Sequence, residues 1–442
     1  MAGDWEDTTL ADVMEVKHGF AFPGESIRDE PPGEVLLTPG NFAIGGGFKG
    51  DKFKYFDGEV PADYVLSEGD LIVTMTDLSK QADTLGFPAI VPQNRGPCYL
   101  HNQRLGKVLI KDGAKLDKGF LFYLLCTAEY RHEVLASATG TTVKHTSPGR
   151  ILAHKAKLPP LSEQKRIAEV LGALDDKIEL NRRRNATLEA TARALFQSWF
   201  VDFDPVRAKL DGSQPSGMDA ATAALFPDSF EESPLGHIPR GWKVKPVGDV
   251  IDCVGGGTPS TSEPKYWEGG THHWTTPKDF SSLQAPILLN TDRKLTDAGI
   301  AKISSGLLPV GTLLMSSRAP VGYLAISAIP VAINQGFIAM KCNESASNYF
   351  MLNWCQQNMA EIEGRATGTT FAEISKQNFR PIPLVLSTQE IMTAFSERVA
   401  PLYDQITANL RQSRTLATLR DTLLPKLLSG ELSRGSGCML MN

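Results

Sequence analysis

The chain has only six cysteines in 442 residues, and no two of them form a C-x-x-C pair. Zinc ribbons, dithiol redox centres and disulfide frameworks all need paired cysteines. The expected state of Cys98, Cys126, Cys253, Cys342, Cys355 and Cys438 is therefore the free thiol, and no metal site is expected. Long apolar runs are missing too. The longest, GLLPVGTLLM, is broken by Pro309 and Gly311 and is too short to cross a bilayer. The opening residues MAGDWEDTTLADV lack the basic start and apolar run of a secretory signal, so a cytoplasmic protein without a membrane partner is expected. Nor is there a surplus of positive charge. At a formal net charge of −5, any face that meets phosphate must be local and balanced by acidic residues elsewhere.

Catalytic signatures are also lacking. Asp204-Pro205-Val206 has neither the second proline nor the aromatic residue of an adenine-methyltransferase loop, where a flipped base would stack. Gly255-Gly256-Gly257-Thr258 has no lysine in phosphate-loop register and reads as a turn before a strand. Asp252, Glu263 and Lys265 imitate a nuclease triad only loosely, because Glu263 and Lys265 fall in a Ser/Thr/Pro-rich loop rather than on a rigid strand pair. His272-His273 has no neighbouring Cys or His with which to hold a metal. No catalytic residue is assigned.

What the chain does contain is a repeat. ATGTT occurs at 138–142 and again at 366–370. Each copy is followed, after a similar interval, by a proline-containing stretch (LPPLSEQ, PLVLSTQE) and then by a helical pattern. Upstream, Trp5 and Trp242 open corresponding stretches, Thr38-Pro39-Gly40-Asn41-Phe42 corresponds to Thr276-Pro277-Lys278-Asp279-Phe280, and LSEGDLIVTMTD corresponds to LLPVGTLLMSSR. Asn102-Gln103 corresponds to Asn334-Gln335. Landmarks in one order predict a tandem duplication. Each half mixes short β-branched runs (DLIVTM, GKVLI, TLLMS, VGYLAI) with Gly and Pro breaks, and carries a helical segment at 120–136 or 349–364. The expected fold class is α+β, a mixed α/β domain and a long helix, written twice.

The long helices carry a seam. Ile167, Leu171, Leu174, Ile178, Asn181, Asn185, Leu188, Ala192, Leu195 and Trp199 alternate four- and three-residue steps. Phe395, Val399, Leu402, Ile406, Asn409, Ser413, Leu416, Arg420, Leu423 and Leu427 repeat that spacing. The two seams predict an antiparallel coiled coil in which Asn181 faces Asn409 and fixes register. The alternative is that each seam packs on its own domain. Pro159 and Pro160 end the preceding chain, Ser162 is the expected cap of the first helix, and Ser387 with Glu390 is the expected capping box of the second. A helix over 162–200 spans roughly 58 Å, against about 34 Å between successive major-groove sites on one face of a duplex. Such a pair would space two readers along one DNA. The expected divisions are 1–157 and 242–382 for the globular domains, 158–200 and 383–430 for the helices, 201–241 for a linker and 431–442 for a tail.

With those features in place, the chain resembles the specificity subunit of Type I restriction-modification systems along nearly its whole length. LPPLSEQKRIAEVLGALDDKIELNRRRNATLEATARALFQSWFVDFDPV resembles that family's central conserved region, PDSFEESPLGHIPRGW its entry into the second half, and GGGTPSTSEPKYWEGG an opening of its recognition domains. The resemblance implies a non-catalytic subunit whose two target-recognition domains read a split, asymmetric site on double-stranded DNA. It further implies two methyltransferase subunits docked on the helices, and restriction subunits that cleave DNA. S-adenosylmethionine, ATP and magnesium would be used by those partners, with no cofactor in this chain. A specificity protein of another methylation-based phage-defence system is the alternative.

Candidate DNA contacts follow from side-chain chemistry. Asn102, Gln103 and Arg104, and Asn334 with Gln335, suit bidentate base contacts, although a structural turn common to both halves explains them equally. Lys144 and His145 lie just after the first ATGTT, and Phe371 and Ala372 just after the second, so the cation is not shared. Arg318 is placed to reach a guanine or a phosphate. Lys49, Lys52 and Lys54 suit phosphate contacts, although a solvated hairpin explains them equally. Arg182, Arg183 and Arg184 lie beside the polar centre of the seam and would meet phosphate, the methyltransferase or water.

Overall fold

The structure, a computed structural model, describes residues 5–79, 81–94, 96–368 and 372–432. Cys438, Phe371 and the part of the expected tail after Leu432 lie outside the described residues. The chain divides into two compact units, one of Met1–Lys177 with Thr415–Asn442 and the other of Ile178–Arg414.

In the first unit, strand Glu6–Thr9 pairs antiparallel with Lys155–Leu158, the strand that leads into the first long helix. The unit thus closes on itself where its chain enters and leaves. Between them a four-stranded sheet runs in the order Met14–His18, Leu105–Ile110, Leu71–Thr74, Pro88–Ile90. In a second sheet Glu34–Leu36 lies between an antiparallel neighbour, Lys54–Phe56, and a parallel one, Tyr99–Leu100. The second unit repeats the plan. Lys243–Pro246 pairs with Pro383–Leu386, the strand before the second long helix. Its main sheet runs Asp252–Gly255, Phe337–Lys341, Leu313–Ser317, Val321–Ser327, with Ile287–Leu288 added at the edge. His272–Thr275 lies between antiparallel Arg293–Leu295 and parallel Val331–Ile333. The central strands Leu71–Thr74 and Leu313–Ser317 are buried on both faces, as expected of strands that open on three consecutive apolar residues.

Each helical segment of the globular parts is broken once. Lys118–Leu124 and Ala128–Ala136 are separate helices, as are Asn348–Gln357 and Met359–Gly364, where one continuous segment was expected in each half. In the first unit Thr127 starts the second helix by accepting the Tyr130 amide at 3.3 Å. That capping geometry cannot continue a preceding helix.

The long helices are Leu161–Phe200 and Gln389–Leu428. Their starts correct two expectations. Pro160 carbonyl accepts the amides of Glu163 and Gln164, so Ser162 lies inside the first helix rather than at its cap. The second helix begins from Thr388, whose carbonyl accepts the Met392 amide, so Ser387 lies one residue too early for a capping box with Glu390. Every seam position is buried or half-buried. Within the first unit Ile167 and Leu171 enter the globular core of Leu10, Met14 and Phe120, with Leu423 and Leu427 of the other helix against it. Arg420 binds Asp175 at 2.7 Å across that pair. Within the second unit Phe395, Val399 and Ile406 share a core with Phe196, Trp199, Phe200 and Phe350. Both expectations for the seam therefore apply: its outer turns pack on the globular cores, and its centre joins helix to helix.

That centre is polar. Asn409 donates to Asn185 Oδ1 at 2.8 Å. Asn181 donates to Gln412 Oε1 at 2.9 Å, Ser413 Oγ at 3.2 Å and the Asn409 carbonyl at 3.4 Å. Across the seam the side-chain partner of Asn409 is thus Asn185, not Asn181. In an antiparallel pair the repeat axis falls between the two seam positions, so each asparagine meets the other layer's residue. Residues 201–241 carry their own structure: helices Asp204–Leu210 and Ala220–Leu225 and a hairpin of Phe230–Ser233 with Gly236–Pro239. Val206, Phe226 and Ile238 are buried in the second unit's core.

Candidate nucleic-acid interface

The repeated motifs prove to be backbone devices. Asn102 Oδ1 accepts the Arg104 amide at 3.0 Å, and Asn334 Oδ1 accepts the Gly336 amide at 2.9 Å, the same two-residue turn in both units. A glycine packs on each turn. A Cβ on Gly19 would lie 2.0 Å from the Asn102 carbonyl oxygen, and one on Gly256 would lie 2.0 Å from that of Ile333. Asn102 and Asn334 are therefore committed to structure through their carbonyl oxygens. Gln103 and Arg104 are exposed beside the first turn. Gln335 accepts from Thr258 at 2.6 Å. Gly255 ends a strand, so the glycine run follows a strand rather than preceding one.

The ATGTT loops are closed alike. Thr139 and His145 exchange backbone hydrogen bonds of 2.9 and 2.8 Å, and Thr367 and Glu373 exchange two of 2.9 Å. Gly140 at φ +93° and Gly368 at φ +118° have positive φ, which L side chains rarely adopt and which explains why the glycine recurs. Thr369 and Thr370 of the second copy lie outside the described residues. Against the first loop Lys144 pairs with Asp77 and His145 with Thr76 as strand partners, and His145 Nδ1 meets Thr76 Oγ1 at 3.2 Å. Against the second loop Arg318 bridges Glu373, their side chains 3.5 Å apart. Asp77 and Arg318, at matching positions of the two units, carry opposite charges.

Asp77 is buried. Burial alone would raise its pKa, but hydrogen bonds from the Thr84 hydroxyl and the Ser79 and Thr84 amides outweigh that and hold it below the usual carboxylate value. It is a loop anchor. Arg318 instead lines a recess of about 460 Å³ with Thr276, Pro277, Lys278, Ser281, Tyr323 and Asn334. Asp279 fixes that wall, accepting the Thr276 amide at 2.7 Å and the Thr276 hydroxyl at 3.0 Å. In the first unit Asn41 takes the part of Asp279, accepting the Thr38 amide at 2.9 Å. Asn41 also donates to the Lys49 and Lys52 carbonyls, at 3.2 and 2.9 Å. Both lysine side chains are exposed, with Lys49 ion-paired to Asp51 at 3.2 Å. Arg182 and Arg183 both bind Glu179, at 2.7 and 2.8 Å. Lys278 and Tyr323 escaped sequence reasoning, since a lone lysine in a turn and a tyrosine in a strand carry no pattern. The Arg318–Glu373 pair was legible only once the loops were known to meet those strands.

The remaining candidates have ordinary partners. Lys341 faces Asp252 at 3.9 Å and Lys265 pairs with Glu263 at 3.2 Å. His272 binds Asp297 at 2.7 Å and His273 binds Thr291 at 3.0 Å. Among the described residues no three His, Cys, Asp or Glu side chains are grouped to hold a metal ion. Cys126, Cys253, Cys342 and Cys355 are buried or half-buried free thiols and Cys98 an exposed one. No helix among the described residues is long and apolar enough to cross a membrane.

Comparison with known proteins agrees with the duplicated plan. The family model described as the Type I restriction modification DNA specificity domain matches twice, at residues 2–190 and 239–412. The specificity subunit of the Type I restriction enzyme HindI from Haemophilus influenzae is 28% identical, over 71% of this chain and 77% of that protein. A putative Type I restriction enzyme MjaX specificity subunit from Methanocaldococcus jannaschii is 23% identical over 97% of this chain and 94% of its own. The crystal structure of a Type I restriction-modification S subunit from M. genitalium shares the fold, with a TM-score of 0.56 at 16% identity and 96% of both chains covered. The chain, with two copies of the domain in tandem and two long helices, belongs to the family of Type I restriction-modification specificity subunits.

Proposed function

We propose that this chain is the non-catalytic DNA-specificity subunit of a Type I complex, reading a split, asymmetric duplex target through its two recognition domains. Two methyltransferase subunits, which would bring S-adenosylmethionine, dock on the helices and methylate adenine N6 at that target. Restriction subunits, which would bring ATP and magnesium, cleave DNA when the target is unmodified. The setting is the cytoplasm.

The observation that carries this reading is one scaffold presented twice with different exposed chemistry. The Asn turns, the closed ATGTT loops and the Thr-capped segments coincide in the two units. At those conserved places Gly40 stands for Lys278 and His145 for Glu373. A tandem reader of two unlike half-sites requires the backbone to repeat and the contacting side chains to differ.

The test is genome-wide adenine methylation in cells that express this chain with its cognate methyltransferase subunit. Methylation should occur at one split motif and vanish without this chain. Exchanging residues 1–157 for those of a relative should change one half of the motif only. Methylation indifferent to this chain refutes the proposal.

A further inference from the structure

Resting on that function, we propose that the recess bounded by Lys278, Arg318, Tyr323 and Asn334 is the base-reading site of the second recognition domain. Arg318 takes a guanine edge there and Lys278 a flanking phosphate.

Arg318 stands at the end of strand Leu313–Ser317, and its neighbours are fixed from two sides. The Ile374 amide donates to the Ser317 carbonyl at 2.9 Å, and the Tyr323 amide donates to Ser316 Oγ at 2.8 Å. The opposite wall is held by the Thr276–Asp279 turn. A rigid backbone presenting a planar five-donor fork is what bidentate recognition of guanine O6 and N7 needs. Both cations are only loosely engaged by protein. Arg318 lies 3.5 Å from Glu373 and Lys278 lies 3.9 Å from Asp292, beyond hydrogen-bond length in each case. Their side chains are 36% and 85% exposed, so a ligand can take either without leaving a buried carboxylate unpaired.

The recess also opens beside a second one of about 470 Å³, which shares Ser281 and Tyr323 and reaches Glu189 and Arg193 on the first long helix. The first unit supplies an internal comparison. Its matching wall has Gly40 in place of Lys278, and its matching strand end has the buried, fully hydrogen-bonded Asp77. The turn asparagine is unchanged. Both side chains assigned to DNA thus differ between the repeats.

The experiment uses the full chain with its methyltransferase partner, reading the methylated motif genome-wide and duplex binding across a salt series. Arg318→Ala should raise methylation of sites with one altered base pair about tenfold relative to the intact motif, at one position of the half that residues 1–157 do not determine. Arg318→Lys keeps the charge but not the fork, and should relax the same position. Lys278→Ala should weaken binding to all sequences alike and lower the slope of log affinity against log salt by about 1. Unchanged melting temperatures separate these effects from misfolding. An unaltered motif in both Arg318 variants beside a working wild type overturns this inference alone, as does relaxation of the other half. A wild-type chain that directs no sequence-specific methylation overturns the proposed function and this inference with it.

Discussion

Replacing Asn409 tests what the polar centre of the seam contributes. Asn409, Asn185 and Asn181 are all at most 4% exposed. Asn409 Nδ2 gives Asn185 Oδ1 its 2.8 Å hydrogen bond, while Asn409 Oδ1 accepts from the exposed Gln405 at 2.8 Å. Asn409→Ala strands the buried Asn185 oxygen, for about 1–3 kcal/mol. The shortened side chain leaves a partial cavity worth about 1 kcal/mol more. Gln405 turns to water and adds little. The expected loss is about 2–4 kcal/mol. Replacing both partners, Asn185→Leu with Asn409→Leu, removes donor and acceptor together at similar volume. It should return stability to within about 1 kcal/mol of the wild type, because a buried polar pair returns little beyond its own desolvation. The pair is retained for register, as single polar layers are in coiled coils. Urea unfolding followed by tryptophan fluorescence is a suitable assay, since Trp199 is buried on the helix that carries Asn185, within the same unit. An Asn409→Ala loss below about 0.5 kcal/mol refutes the argument, as does a double-leucine variant as unstable as the single alanine.

Cysteines at 185 and 409 should crosslink on mild oxidation, since those side chains touch, and failure to do so would refute the observed register. Phe395→Ala should cost about 3–5 kcal/mol in thermal or urea unfolding, because the ring is fully buried and contacts those of Phe196, Trp199, Phe200 and Phe350. Gly19→Ala and Gly256→Ala should each cost about 3 kcal/mol, the new Cβ being forced against a carbonyl oxygen of the neighbouring turn. Acid should weaken the first unit through His101, which burial, foremost, pushes from 6.5 down to about 4. The folded ring stays neutral while the unfolded one takes a proton, so stability is intact above pH 6.5 and falls as pH drops towards 4. The total is about 3 kcal/mol, and a His101→Gln variant should lose that slope.

The duplication, the mixed fold class and the two seams were legible in the sequence because each rests on spacing along the chain. Heptad positions need only the helix period to share a face, and every seam residue is indeed shielded. The helix starts were misplaced by one or two residues, because the cap depends on which carbonyl the first amides reach, and that depends on how the chain enters. Asn102 and Asn334 could be read from sequence as base readers or as turns. Only the hydrogen bonds to Arg104 and Gly336 decided for the turn. The recess around Arg318 gathers residues from three separate stretches, at 276–281, 318–323 and 334. No periodicity links them, since their meeting is set by sheet order and by the closed loop that brings Glu373 to Arg318. The sequence determined the elements and their repetition through local propensity and pattern. Tertiary structure decided which side chains are committed to backbone and which are left to meet a ligand, because hydrogen-bond partners distant in the chain make that choice.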